Sequence, residues 1–240
     1  MKTVIYLFST LLIILASVII MRKNSDKEVI TTEAIVMRDI TDHQIAEPKL
    51  EDITSLYDLK NSKWHGASFR FVDITDVSYN HTYETKINPE NEWMGNEFER
   101  EKKVNKFYAE ITQILSNAET ETSGKDNSSI YIPIARELNR LSQSTYQDKI
   151  MLVYSDLMEN TDDFSLYKKS NLNLLKTNPD TVRKYFEGLN LLKNLKGIKI
   201  FLVYQPVNKE SDEQYRLIAG FYKDLLESKG AIVEITANIN

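Results

Sequence analysis

The chain has no cysteine, which excludes disulfides, thiolate metal sites, thiol catalysis and a lipidated cysteine at the end of the leader. Its 240 residues hold only seven glycines, and none is clustered as a phosphate-binding loop or a dinucleotide fingerprint requires. A Gly-x-Ser-x-Gly nucleophile elbow is absent as well. Three histidines, His43, His65 and His81, leave little scope for a multi-histidine metal centre. No run of Lys and Arg interleaved with aromatics is present, and the net charge is −5. These features argue against a surface that neutralises a nucleic-acid backbone.

The apolar fraction of 42% and charged fraction of 27% are those of a globular protein. The length suits one sizeable α/β domain with accessories. The clearest single feature is "VIYLFSTLLIILASVII", residues 4–20, seventeen residues without a charge. In helical form it rises about 25 Å, the short end of what spans a bilayer. No A-x-A-like cleavage site precedes Met21, so an uncleaved anchor over residues 1–23 fits better than a cleaved signal peptide. Arg22, Lys23 and Lys27 outnumber Lys2. That bias favours a cytoplasmic C-terminal domain, but one short anchor obeys the rule loosely and both orientations stay open. Residues 24–32 read as a polar linker, and residues 33–240 as the folded domain.

Strands are expected at "AIVMRDI" (34–40), over 68–87 as one long strand or a hairpin, at "IMLVY" (150–154), at 197–206 and at 230–237. Helices are expected at 96–119, 130–143, 179–195 and 209–228, with Gly230 as a C-cap. The alternation of strands and helices through the second half implies right-handed βαβ units and a parallel sheet covered on both faces.

The tripeptide Asp-Ile-Thr occurs at Asp39, Asp52 and Asp73, in dissimilar surroundings. Ligands of open α/β sheets bind at the carboxyl ends of strands, which separates the copies. Asp39 ends a predicted strand, Asp73 lies within one, and Asp52 is in a helical or loop stretch. Asp156 ends the strand at 150–154, and the two carboxylates share a crevice if those strands are neighbours.

With Asp39, Thr41 and His43 in "DITDH", Ser128 or Ser129 before a helix, and Asp156 after a later strand, the chain resembles the von Willebrand factor A (integrin I-like) domains. The resemblance covers about residues 33–237 and implies a three-layer, Rossmann-like sheet with helices on both faces. It also implies a metal-ion-dependent adhesion site for a divalent cation, Mg²⁺ or Mn²⁺, with one open position for an acidic residue of a partner protein. In this chain His43 stands in the last slot of the first motif, and a serine stands where the family has threonine. Imidazole suits zinc, manganese or nickel better than magnesium. Glu159 and the Thr161–Asp163 stretch are either further ligands or a solvated loop.

Other readings of the same residues are a strand-end aspartate that caps a turn, a metal-free scaffold, and a metal-dependent hydrolase or phosphotransferase using Asp39 and Asp156. An aspartyl-phosphate mechanism wants a second aspartate at position 41, where the chain has threonine. The expectation is therefore a non-enzymatic interaction or assembly module tethered to a membrane through residues 4–20, with no nucleic-acid partner.

Overall fold

The computed structural model describes residues 29–41, 47–74, 81–119 and 128–239. The apolar segment 4–20 and His43 lie outside these residues. Among the described residues, no helix is long and apolar enough to cross a membrane.

The elements in chain order are β1 (Thr31–Asp39), α1 (Leu50–Ser55), β2 (Gly66–Ile74), β3 (Thr82–Ile87), α2 (Glu97–Glu119), α3 (Tyr131–Ser142), β4 (Asp148–Tyr154), α4 (Lys169–Thr177), α5 (Pro179–Leu189), β5 (Ile198–Val203), α6 (Lys209–Glu227) and β6 (Ile232–Thr236). The six strands form one sheet in the order β3-β2-β1-β4-β5-β6. All neighbours are parallel except β3, which returns antiparallel to β2 at one edge. The stretch 68–87 is thus a hairpin rather than one strand. β1 begins at Thr31, inside the stretch expected to be linker. Its two β-branched threonines pair with Gly66 and Ala67, and Thr32 also pairs with Asp148.

β1 is buried along nearly its whole length, which is why it reads as a continuous apolar run. Its side chains alternate between two cores. Ala34 and Val36 pack with Phe69, Phe71, Phe107 and Ile111 under α1 and α2. Ile35 and Met37 pack with Ile134, Leu138, Phe186 and Tyr222 under α3, α5 and α6. Helices therefore cover both faces of the sheet. Phe186 centres the second core, stacked on Tyr131 with ring centroids 4.7 Å apart. Burying an aromatic ring of this kind supplies a large apolar area.

One expected helix is shorter than its pattern. α5 ends at Leu189, not 195. The Tyr131 hydroxyl donates to the Asn190 carbonyl at 2.7 Å, and the Asn139 side chain accepts from the Lys193 N–H at 2.8 Å. Tertiary partners thus replace the last helical turns, while Leu192 and Leu195 still reach the core. α1 and α4 are short, and α4 was not expected at all.

Candidate functional site at the carboxyl ends of β1 and β4

The strand order reverses between β1 and β4: the chain leaves β1 toward β2 and leaves β4 toward β5. A crevice opens outside the strand ends at such a switch point. Asp39 is the last residue of β1, and Ser155 directly follows β4. Arg38 pairs with Tyr154, so Asp39 and Ser155 stand side by side. By alternation Asp39 shares the face of Ile35 and Met37, toward α3, and Ser155 shares that of Met151 and Val153.

The two side chains meet. Ser155 Oγ donates to Asp39 Oδ2 at 3.0 Å, and Asp39 Oδ1 accepts from the Thr41 backbone N–H at 3.0 Å and from Thr41 Oγ1 at 2.6 Å. Asp39 and Ser155 are both buried. The Ser155 hydroxyl also accepts from the Leu157 N–H at 2.8 Å. Leu157 has φ +62°, a left-handed conformation that costs a non-glycine residue about 1 kcal/mol. The chain turns sharply there and re-aims the residues that follow.

Asp156 takes a different direction from Asp39. Its Oδ1 accepts from the Met158 N–H at 2.8 Å. It lines a cavity of about 140 Å³ with Tyr204, Tyr215, Ser211 and Gln214 between the end of β4 and α6. Burial first, then the neighbouring Tyr204 and Asp156, hold the Tyr215 phenol above its ordinary 10.

The residue that joins the crevice instead is Glu159. It is 1% exposed, and its Oε2 accepts from the backbone N–H groups of Ile130 at 2.9 Å and Tyr131 at 2.8 Å. The carboxylate thereby caps the amino end of α3, where free N–H groups and the helix dipole favour negative charge. Ser128 and Asn160 exchange backbone hydrogen bonds of 2.9 and 2.8 Å, which staples the approach to α3 against the segment leaving β4. Burial pushes the Glu159 carboxyl up to about 7. The two backbone donors and the nearby Ser129 pull it down, and the Asp39 charge pushes it further up. Ser129 Oγ, although beside the carboxylate, lies outside hydrogen-bond geometry with it.

Three buried oxygens around this point, Ser128 Oγ, Ser129 Oγ and Glu159 Oε1, have no hydrogen-bond partner. Of the residues singled out in the sequence, Asp39 and Thr41 are joined by hydrogen bonds, and Ser128 and Ser129 stand before α3 near Glu159, whose carboxyl feels the Asp39 charge. Asp156 faces the adjoining cavity, and Asp162 and Asp163 are exposed. Among the described residues, no three His, Asp or Glu side chains are arranged to hold a metal ion. The donor set is instead a few carboxylates among hydroxyls.

The chain matches no protein-family model and has no significant sequence match among curated proteins.

The other Asp-Ile-Thr copies have structural places. Asp73 is fully buried and receives Arg38 Nε at 2.9 Å and Nη2 at 2.8 Å. Asp52 lies in the first turn of α1, where a carboxylate complements the helix dipole.

Proposed function

We propose that this chain is a membrane-tethered interaction module of the von Willebrand factor A type, whose crevice takes a divalent cation and, through it, an acidic side chain of a partner protein. The supporting observation is the hydrogen-bonded set Asp39, Thr41 and Ser155 beside three buried, partnerless oxygens of Ser128, Ser129 and Glu159. A buried polar atom left unpaired costs about 1–3 kcal/mol. A hard cation with its retained waters relieves that cost, because it wants oxygen ligands and keeps part of its hydration shell.

An all-oxygen set of this kind fits Mg²⁺ or Mn²⁺. Thr41 and Ser128 or Ser129 would supply neutral oxygens, and Asp39 the nearest charge. Asp156, on the other side of the β4 turn, would contribute charge from its neighbouring cavity. Bound there, the cation supplies an electrophilic position that a carboxylate of the partner can fill. Tethering rests on the uncharged segment 4–20 in either orientation.

The second reading is a metal-free scaffold, favoured by the two hydrogen-bonded oxygens of Asp39 and by the lack, among the described residues, of three His, Asp or Glu side chains grouped to hold a metal ion. A hydrolase or phosphotransferase is less well supported, since Asp39 is buried against Ser155 and Thr41 while Asp156 lines the cavity beside α6. A thermal-shift titration with Mg²⁺ and Mn²⁺ separates the first two. The wild type is expected to gain melting temperature with rising cation, by mass action on the folded state, while Asp39→Ala does not respond. A wild type unmoved at millimolar cation establishes the metal-free scaffold instead.

A further inference from the structure

The rim opposite the crevice, built by the amino ends of the parallel strands, carries exposed apolar side chains at two places. On the β3–α2 connection Trp93 is 70% exposed and Met94 87%, and Phe98 in the first turn of α2 is 64% exposed. On the α5–β5 connection Leu191 is 65% exposed. Both places belong to the same rim. Ile87 at the end of β3 pairs with Ala67 at the start of β2, and the Glu90 N–H donates to the Trp64 carbonyl. Leu191 is held at the carboxyl end of α3, its carbonyl accepting from the Asn139 side chain.

The Trp93–Met94 turn is built, not loose. The fully buried Arg100 donates to the carbonyls of Lys63 at 2.6 Å, Asn88 at 2.8 Å and His65, tying the turn to the start of β2. The N–H groups of Met94 and Gly95 both donate to the Asn91 carbonyl. A Cβ at Gly95 would stand 2.2 Å from the Trp64 ring, so the turn closes against Trp64 while Trp93 and Met94 face outward. Two large apolar side chains held outward on an ordered turn, with Phe98 at the start of α2, mark an interaction surface.

Where the chain enters the domain identifies the occupant. Ile30 and Thr31 sit on this same rim, their carbonyls accepting from the N–H groups of Gly66 and Gln147. Only ten residues, Met21–Ile30, lie between the uncharged segment and that entry. Fully extended, they reach about 35 Å at most. They include Arg22, Lys23 and Lys27, and the rim adds exposed Lys193 and Lys196. Of the acids beside the apolar turn, Glu90 pairs with Lys103, Glu97 with Lys63 and Glu99 with Lys102, while Glu92 and Glu101 are exposed and stand outside these pairs.

We propose that this rim docks on a phospholipid bilayer surface, with Trp93, Met94 and Phe98 entering the headgroup region and Lys193 and Lys196 meeting lipid phosphates. The proposal rests on the reading of residues 4–20 as the membrane segment. Tryptophan and phenylalanine favour that interfacial depth, and basic side chains add attraction to anionic lipid. Docking would set the sheet upright on the membrane. The crevice at Asp39 would then face the aqueous side, about 30 Å away along the nine residues of β1.

The absence of cysteine makes the test direct. Full-length protein is reconstituted in phosphatidylcholine–phosphatidylglycerol vesicles, carrying an environment-sensitive fluorophore on Met94→Cys or on Val207→Cys. Val207 is exposed at the opposite rim, on the β5–α6 connection. The Met94 label is expected to shift blue and to be quenched by brominated lipid at least about twofold more than the Val207 label. Equal quenching of both labels in protein that floats with the vesicles overturns the docking proposal and leaves the anchor standing. Protein that does not float overturns both. A blue shift present without lipid and growing with protein concentration assigns the patch to a second copy of the chain and also overturns the proposal.

Discussion

Ser155 Oγ donates to Asp39 Oδ2 at 3.0 Å, joining two residues 116 positions apart at the point where the strand order reverses. The same hydroxyl accepts from the Leu157 N–H, so one serine both orients the crevice carboxylate and fixes the turn that leaves β4.

Ser155→Ala removes both bonds, loosens the hold on the Asp39 carboxylate and leaves the buried Leu157 N–H short of an acceptor. The expected loss of stability is about 1–3 kcal/mol in urea unfolding. The same variant should weaken any cation-dependent rise in melting temperature, because Asp39 loses one of the groups that hold it. A variant as stable as the wild type, with an unchanged cation response, would show that Asp39 is positioned without Ser155.

Glu159 makes stability depend on pH in a sense opposite to most carboxylates. Burial raises its folded-state value from 4.5 to about 7, so between those values the folded protein binds more protons than the unfolded chain. Its contribution is fully present below about pH 4.5, declines as pH rises, and is exhausted above about pH 7. The change is roughly 3 kcal/mol at most. Glu159→Gln keeps an oxygen for the Ile130 and Tyr131 N–H groups but cannot titrate. Chemical unfolding from pH 4.5 to 8 should therefore show a falling component in the wild type that is missing in the glutamine variant. Parallel profiles would assign the pH dependence to other groups.

Much of the scaffold was legible because its signals are local. The apolar runs of β1, β4 and β5 fit strands covered on both faces, whereas α6 is capped by Ser228 and Gly230, at φ +94°, stands two residues beyond that cap. Asp39 was legible for the same reason, as an acid at the end of such a run. Its partner was not. That Ser155 rather than Asp156 meets it follows from the register of β1 on β4 and the left-handed turn at Leu157, and neither is written in a short window. Glu159 was obscured differently: it opens the polar stretch "ENTDD", which has the composition of a solvated loop. Its burial comes from α3 and the Ser128–Asn160 pairing folding over it.

Arg38 and Asp73 form a buried pair on the face of β1 away from the crevice. Arg38 also donates to the Ala118 carbonyl at 2.7 Å and lies over the Phe71 ring. Arg38→Ala takes the guanidinium from the buried Asp73 and is expected to cost about 3–5 kcal/mol, whereas in Asp73→Ala the guanidinium keeps Glu47 at 3.1 Å and the expected loss is about 1–3 kcal/mol. Replacing both, as in Arg38→Met with Asp73→Leu, should recover most of that loss. A double-mutant cycle in urea reads the coupling, and single-variant costs below about 1 kcal/mol would place the pair among surface-like bridges.

Gly95 tests whether the apolar turn on the opposite rim is as fixed as its hydrogen bonds imply. Gly95→Ala puts a methyl 2.2 Å from the Trp64 ring, closer than any carbon contact allows. The ring must move or the turn must open, at an expected cost of about 1–3 kcal/mol. Trp64 and Trp93 are the two tryptophans of the chain, so the displacement can be followed by their emission. Trp93→Phe isolates Trp64 without disturbing the site of the clash, because Trp93 is largely exposed. In that background Gly95→Ala should shift Trp64 emission to the red and lower the urea midpoint. Unchanged emission and an unchanged midpoint would mean that the turn yields freely, so that Trp93 and Met94 are not held outward by a rigid support.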